Sequence, residues 1–323
     1  MGYFPAGVPK LREMIALRYT QSGVPTRAEQ IIVTAGAQQA VWLVAKLFAG
    51  PGTTTIVEDP TYRGTLEAFG AAGGQLRGIP MKRHGPDLEA PDAASANADL
   101  LYTATAVQNP TGPHYTRRVR ATMFEIARKH GLLVIDDHSQ ADLPWHRNEP
   151  LTGMEAVADA DELLIVGTLS KLFWGGIRVG WIRGPVPVIA QLTSLKSGMD
   201  LGDSVPDQLA ATLLLPRIPE QLRLRRAELT DAYKQVVRPL SEVCPRWRFQ
   251  APAGGSGLWV DTADDSMRLM RRAERHNVRL APGPLFSVSG GCRMFIRLPV
   301  LRDPDRLREA LNLLTKSEET SCS

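Results

Sequence analysis

Cysteine is scarce in this sequence: Cys244, Cys292 and Cys322 are all it has, too few and too scattered for a disulfide framework or a CxxC metal site. They read as reduced thiols, and no metal is expected. Long apolar runs are missing as well. None approaches the roughly 20 residues that cross a bilayer, so no membrane span is expected. Residues 1–9 have neither the basic start nor the apolar core of a secretory signal, which makes a cytoplasmic setting the expectation. Net charge is small too. The formal +4 and pI near 9.0 come from Lys and Arg interleaved with Asp and Glu, not gathered into one patch. Nucleic acid is therefore not an expected partner, and anionic small molecules account for the excess. There is no internal repeat and no low-complexity segment.

What is present is a chain of 323 residues, 43% hydrophobic and 22% charged, long enough for one large α/β domain and a smaller partner. Residues 11–19 carry apolar side chains at helical spacing, Gly23-Val24-Pro25 breaks the chain, and Ile31-Ile32-Val33 starts a strand. A small-residue turn, Thr34-Ala35-Gly36-Ala37-Gln38-Gln39, then feeds a helical run to Phe48. Further buried-strand candidates are residues 55–58, 100–104, 132–136, 163–168 and 179–183, with helical segments between several of them. Strands alternating with helices argue for a mostly parallel sheet covered on both faces.

After Pro206 the texture changes to a long charged helical stretch over residues 217–243, followed by Gly254-Gly255-Ser256-Gly257 and the strand-like Leu258-Trp259-Val260. Helices near residues 265–276 and 303–316 and a strand at 294–298 complete a smaller C-terminal α+β domain, and the polar tail 317–323 is expected to fray. The expected division is an N-terminal segment 1–21, a large domain 22–238 and a small domain 239–323.

The sharpest chemical signal is Thr168-Leu169-Ser170-Lys171, followed seven residues after the lysine by Arg178 in Gly175-Gly176-Ile177-Arg178-Val179-Gly180. A lysine closing an apolar strand is costly to bury as a cation, which lowers its pKa and makes it an amine nucleophile able to form an imine with an aldehyde. Two hydroxyls and an arginine reached through glycines suit a phosphate monoester. Gly36-Ala37-Gln38 opens a helix after a strand, a second place for phosphate. Asp59-Pro60-Thr61-Tyr62 puts an aromatic ring where it could stack on a pyridine. Asn109-Pro110-Thr111-Gly112 offers an amide for a phenolate oxygen. Asp136-Asp137-His138 ends another strand with a carboxylate that could hold a pyridine nitrogen protonated, making the ring an electron sink. Each has a plain alternative: a surface lysine, a tight turn, a core tyrosine, an Asn-Pro turn, a solvated acidic loop. Their order along the chain is that of a pyridoxal 5'-phosphate site.

On these motifs, with Gly7-x-x-x-Leu11-Arg12, Pro282-Gly283-x-x-Phe286 and Ile296-Arg297-Leu298, the chain resembles fold-type I pyridoxal-phosphate enzymes of the class I/II aminotransferase family. It is most similar to the branch of kynurenine/aminoadipate-type aminotransferases and the aminotransferase-like domain of MocR-type regulators. The resemblance covers nearly the whole chain. It implies Lys171 as the Schiff-base lysine, Asp137 at the pyridine nitrogen with Asp136 the alternative if the register slips, Asn109 at the phenolic oxygen and Tyr62 over the ring. Ala37, Gln38, Thr168, Ser170 and Arg178 would hold the phosphate and Arg297 the substrate α-carboxylate. Tyr3 matches a tyrosine that reaches a neighbouring subunit's phosphate, which implies a homodimer with shared sites.

Three departures bear on the reaction. Gln140 stands where relatives have a tyrosine hydrogen-bonded to the phenolic oxygen, and its amide can still donate. Leu172-Phe173-Trp174-Gly175-Gly176 replaces smaller residues and a Pro-Gly, with Trp174 placed to reshape the entrance. The sequence also begins almost at Tyr3, which reads as lacking a closing N-terminal segment. The leading expectation is an aminotransferase. Another pyridoxal-phosphate reaction (lyase, decarboxylase or amino-acid oxidase) is the first alternative. A non-catalytic MocR-like sensor is the second, against which stands the lack of residues before Gly2 for a winged helix.

Overall fold

The computed structural model describes residues 2–88, 95–146, 150, 152–158, 162–300 and 303–319. Cys322 and the end of the tail lie outside them. Eight strands make one sheet: β1 (Ile31–Thr34), β2 (Thr54–Asp59), β3 (Gln75–Lys82), β4 (Gly85–Pro86), β5 (Leu100–Thr103), β6 (Leu133–Asp137), β7 (Leu163–Thr168) and β8 (Gly180–Arg183), in the order β1-β8-β7-β6-β5-β2-β3-β4. The run β3-β2-β5-β6-β7 is parallel, whereas β8 is antiparallel to both neighbours and β4 is antiparallel to β3. Strand and helix alternation thus reads out as a mostly parallel sheet. The exception at β8 follows from a connection between residues 168 and 180 too short to carry a crossover helix.

Period-two alternation sends neighbouring strand residues into different layers. Ile135, Leu164 and Val166 pack with Val41, Val44, Ile189 and Leu192 from helices Ala37–Phe48 and Val186–Asp200. Val134, Leu163 and Ile165 face the other way, onto Met123, Phe124 and Ala127 of helix Arg117–His130. That helix is capped by Thr116, whose hydroxyl accepts the Val119 N–H, and is closed by Gly131 at φ +68°. Helix Pro9–Gln21 buries Leu11 and Ile15 with Ile31, Val33, Leu169 and Leu172, at the β1 edge of the large sheet.

A second sheet holds β9 (Arg248–Phe249), β10 (Gly257–Asp261), β11 (Ala281–Pro282) and β12 (Phe295–Pro299), all antiparallel, in the order β11-β12-β10-β9. Leu258, Val260, Ile296 and Leu298 of that sheet form one core with Leu229, Val236 and Leu240 of helix Ile218–Val243 and with Leu311 and Leu314 of helix Pro304–Glu319. Residues 238 and 239, where the sequence suggested a division, lie inside helix Ile218–Val243, which runs on without interruption. Neither Cys244, buried, nor Cys292, half-buried, is in a disulfide among the described residues. Among the described residues no helix is long and apolar enough to cross a membrane.

Candidate active site

The carboxyl ends of the parallel strands open onto one side of the large sheet, the side on which open α/β sheets take ligands. Asp59 ends β2, Asp137 ends β6 and Thr168 ends β7. Gly180 of β8 pairs with Thr168 on one side and Thr34 on the other, so the turn into helix Ala37–Phe48 comes up against the 168–180 segment. A Cβ on Gly180 would lie 2.8 Å from the Ala37 nitrogen, and one on Gly36, the N-cap at φ +84°, 2.7 Å from Arg178 Nη2. Only glycine permits both approaches. Arg178, itself left-handed at φ +46°, donates from Nη2 to the Ala35 carbonyl at 2.5 Å and from Nη1 to the Gly175 carbonyl at 3.3 Å. It pairs with no carboxylate among the described residues. Thr168 Oγ1 donates to the Val179 carbonyl at 2.9 Å and accepts the Ser170 N–H at 3.1 Å, with the Ser170 hydroxyl 3.1 Å away. A helix N-terminus, a guanidinium without a counter-ion and two hydroxyls therefore surround one turn, which suits an anion.

Lys171 stands three residues beyond β7 and is exposed to solvent. Loss of water at the ammonium lowers its pKa, the positive charges of Arg297 and Arg178 lower it further, and Asp137 alone opposes them. This same set of charges acts on the Tyr62 phenol, so Lys171, Tyr62, Asp137, Arg178 and Arg297 share one electrostatic neighbourhood. The Tyr62 hydroxyl donates to Gln38 Oε1 at 2.8 Å, and Gln38 Nε2 donates to the Gly64 carbonyl at 3.3 Å, which ties the ring to the anion-binding turn.

The two aspartates part company by strand alternation. Asp137 lies on the Lys171 side, where Oδ2 accepts the Tyr102 hydroxyl at 2.6 Å and Oδ1 the Ser139 N–H at 2.7 Å. Burial pushes its carboxyl up, more than those two donors bring it down. Asp136 accepts from the Thr105 N–H at 2.9 Å, the Thr105 hydroxyl at 2.8 Å, the Met154 N–H at 2.6 Å and His138 Nε2 at 3.0 Å. Burial works against its charge, but His138 and these donors hold it below the usual range. Asp136 is thus committed to the fold, and Asp137 is the one beside the lysine.

Asn109 and Arg297 meet across the two sheets: Arg297 Nε donates to Asn109 Oδ1 at 3.2 Å and Nη2 to the Ser256 hydroxyl at 3.2 Å. Burial lowers the Arg297 pKa, and no carboxylate pairs with it among the described residues. Gln140, almost fully buried, accepts at Oε1 from the Ser256 N–H at 2.9 Å and from its hydroxyl at 3.3 Å. Tyr3 is 64% exposed, with no side-chain hydrogen bond among the described residues, and Trp174 is 70% exposed.

Several supporting residues escape a motif reading. Tyr102 pairs in register with Ile135, so it shares a sheet face with Asp137 two residues on; a parallel register would have revealed it. Glu58, buried at the end of β2, accepts from Gln108 Nε2 at 3.0 Å, while Gln108 Oε1 takes both the N–H and the hydroxyl of Thr111 and so shapes the turn that carries Asn109. Ser256 sits in a glycine-rich stretch that composition alone marks as a linker. Together the residues fit pyridoxal 5'-phosphate: an anion cradle, an amine with a lowered pKa, a buried carboxylate near it and a tyrosine tied to the cradle through Gln38.

A family model described as Aminotransferase class I and II matches residues 2–314. The chain is 30% identical over 263 residues to the uncharacterized HTH-type transcriptional regulator YisV of Bacillus subtilis, covering 79% of this chain and 54% of that protein. It is 29% identical over 283 residues to 2-aminoadipate transaminase of Thermus thermophilus, covering 85% and 71%. Among solved structures it resembles the α-aminoadipate aminotransferase LysN of Thermus thermophilus, complexed with N-(5'-phosphopyridoxyl)-L-leucine. That match has TM-score 0.88 and 27% identity over 98% of this chain and 83% of that one. The chain thus spans about half the length of the regulator.

Proposed function

The chain belongs to the class I and II aminotransferase family, and from that premise we propose that it uses pyridoxal 5'-phosphate to move an amino group between an amino acid and a keto acid. The observation that carries the reading is one turn at the ends of β7 and β8 that gathers a helix N-terminus, Arg178, Thr168 and Ser170, with Lys171 next to Ser170. When bound, the cofactor supplies an aldehyde that condenses with a primary amine and a ring that accepts the electron pair left when a Cα–H bond breaks.

The chain's own residues do the rest. Lys171 would be the amine that joins the aldehyde, a role its lowered pKa favours, and the base that would take the substrate's α-proton and return it. Asp137 would hold a proton on the ring nitrogen, Tyr62 would cover the ring, and Asn109 would donate to the phenolic oxygen, since Asn109 Oδ1 is turned to Arg297 and its NH2 points away from that bond. Gln140 supplies a second amide near that oxygen. Ala37, Gln38, Thr168, Ser170 and Arg178 hold the phosphate. Arg297 would present its fork to the substrate carboxylate, for which its lack of a carboxylate partner among the described residues leaves it available.

The reading includes a homodimer to which each chain lends Tyr3. Support comes from Leu17, Leu209 and Leu213, exposed by 54%, 51% and 73% on helices Pro9–Gln21 and Val205–Leu214. It also includes the division into segments 1–21, 22–238 and 239–323, and a cytoplasmic setting consistent with free thiols. The test is to incubate the cofactor-loaded protein with common amino acids, with and without 2-oxoglutarate. Keto acid formed in proportion to glutamate, and only with the acceptor, is expected. Continued product with release of ammonia or carbon dioxide and no acceptor would assign elimination, decarboxylation or oxidation instead.

A second reading, a ligand-sensing domain, is favoured by the identity to an HTH-type regulator of which this chain spans 54%. Amino-acid binding that changes the cofactor spectrum without any turnover would select it.

A further inference from the structure

Gly254-Gly255-Ser256-Gly257 has the composition of a flexible linker, yet the structure fastens it on every side. Gly255 N–H donates to the Leu143 carbonyl at 2.9 Å, Trp145 Nε1 donates to the Gly255 carbonyl at 2.8 Å, and Val300 N–H donates to the Ser256 carbonyl at 3.1 Å. Its glycines are demanded by close approach. Gly255 has φ +92° and a Cβ there would lie 2.8 Å from Gln140 Oε1, while a Cβ on Gly257 would lie 2.9 Å from Arg297 Cζ. The strap therefore brings Ser256 between Gln140, at the end of the large sheet, and Arg297, on the small one.

The donor count at Ser256 closes without remainder. Its backbone N–H can only donate, so the Gln140 atom at 2.9 Å is the carbonyl oxygen, and the Gln140 NH2 must face the other way. The hydroxyl gives its one proton to that same oxygen at 3.3 Å and accepts from Arg297 Nη2 at 3.2 Å, since a guanidinium can only donate. Donation thus runs in one direction, from Arg297 through Ser256 to Gln140. Arg297 Nε meanwhile donates to Asn109 Oδ1, so the Asn109 NH2 is also turned away. Both amides have their carbonyls tied up on the arginine side and their donor ends released.

We propose that Ser256 is a positioning residue that sets the Arg297 guanidinium and the Gln140 amide as one unit across the two domains. The proposal rests on the aminotransferase reading, in which Arg297 receives the substrate carboxylate and the Gln140 NH2 faces the cofactor's phenolic oxygen. Removing the hydroxyl leaves the backbone bond to Gln140 in place but frees Arg297 Nη2, so carboxylate capture should suffer first and the environment of the phenolic oxygen second.

The experiment uses the full cofactor-loaded chain, with Ser256→Ala, Ser256→Thr and Gln140→Ala. Two readouts do not need turnover: calorimetric binding of 2-oxoglutarate to the aldehyde form, and the pH midpoint of the cofactor's visible band. Ser256→Ala should weaken 2-oxoglutarate binding about tenfold, the lower end for a lost hydrogen bond to a charged group. It should also move the band midpoint in the same direction as Gln140→Ala, with no further movement in the double variant. In turnover KM should rise with kcat little changed, and Ser256→Thr, which keeps the hydroxyl, should restore all three quantities. A normal wild-type band with Ser256→Ala unchanged in both binding and midpoint overturns this inference alone. A wild-type chain with no Lys171-dependent band, or no carboxylate binding, overturns the aminotransferase reading and this inference with it.

Discussion

Replacing Asp137 by asparagine separates chemistry from folding at one atom. The Ser139 N–H, 2.7 Å from Oδ1, keeps a carbonyl oxygen on that side, so the new Nδ2 faces the Tyr102 hydroxyl 2.6 Å away. Tyr102 can accept from it by turning its own proton toward the buried Thr65 hydroxyl, which lies close enough to act on the Tyr102 phenol. The exchange also removes a carboxylate that burial has pushed up and that forms no ion pair among the described residues. Fold stability should therefore change by no more than about 1 kcal/mol, one hydrogen bond's net worth. Chemistry should not be spared, because the charge that keeps the cofactor nitrogen protonated is gone. A loss of about 10²–10³ in rate, or about 2.7–4 kcal/mol, is the scale for removing one electrostatic stabiliser from a closed site. Single-turnover stopped-flow on the loaded protein measures the first quantity and thermal melts the second. Asp136→Asn should do the reverse: it uncouples a buried carboxylate from His138, at a cost of about 3–5 kcal/mol in stability. If Asp137→Asn reacts at the wild-type rate while Asp136→Asn folds normally and is slow, the assignment of the two strand-end carboxylates is wrong.

Arg297→Lys should raise KM for amino acids by about tenfold or more with a smaller change in kcat, because a point ammonium cannot reproduce the fork; steady-state kinetics decide it. His138 lies between Asp136 and Glu155, at 3.0 and 3.2 Å, and these carboxylates outweigh burial and raise its pKa well above 6.5. Being raised in the folded state, it contributes stability that is complete below about pH 6.5 and is lost as pH rises through the folded pKa. Melting temperature should therefore fall on the alkaline side, and His138→Gln should be less stable and flatter across that range. Light scattering should give twice the 35.4 kDa chain mass, and Leu213→Glu should lower it toward one chain.

The large sheet was legible because its central strands are continuous apolar runs that end in polar residues. Residues 163–168 gave both β7 and the place where Lys171 emerges. β3 was not read, since Gln75-Leu76-Arg77-Gly78-Ile79-Pro80-Met81-Lys82 lies near the sheet edge, mixes charge with a proline and buries only Ile79 deeply. The motif residues also came into view one by one, each with an ordinary structural alternative. The resemblance already named Asp137, with Asp136 the alternative; what the motif itself left open is why, which rests on strand parity fixed by Thr105, Met154 and His138. Nor could it show Ser256, whose role comes from two close approaches between segments 41 and 116 residues away in the chain. Long-range polar contacts leave no periodicity to read.

The most direct measurement is to reduce the cofactor-loaded protein with borohydride, digest it, and map the pyridoxyl group by mass spectrometry. The pyridoxyl mass should fall on the peptide containing Lys171, the amine whose pKa desolvation and the charges of Arg297 and Arg178 lower. It should be absent from Lys171→Ala, which should still fold. A pyridoxyl group on another lysine, or none in a folded protein saturated with pyridoxal 5'-phosphate, would contradict the account.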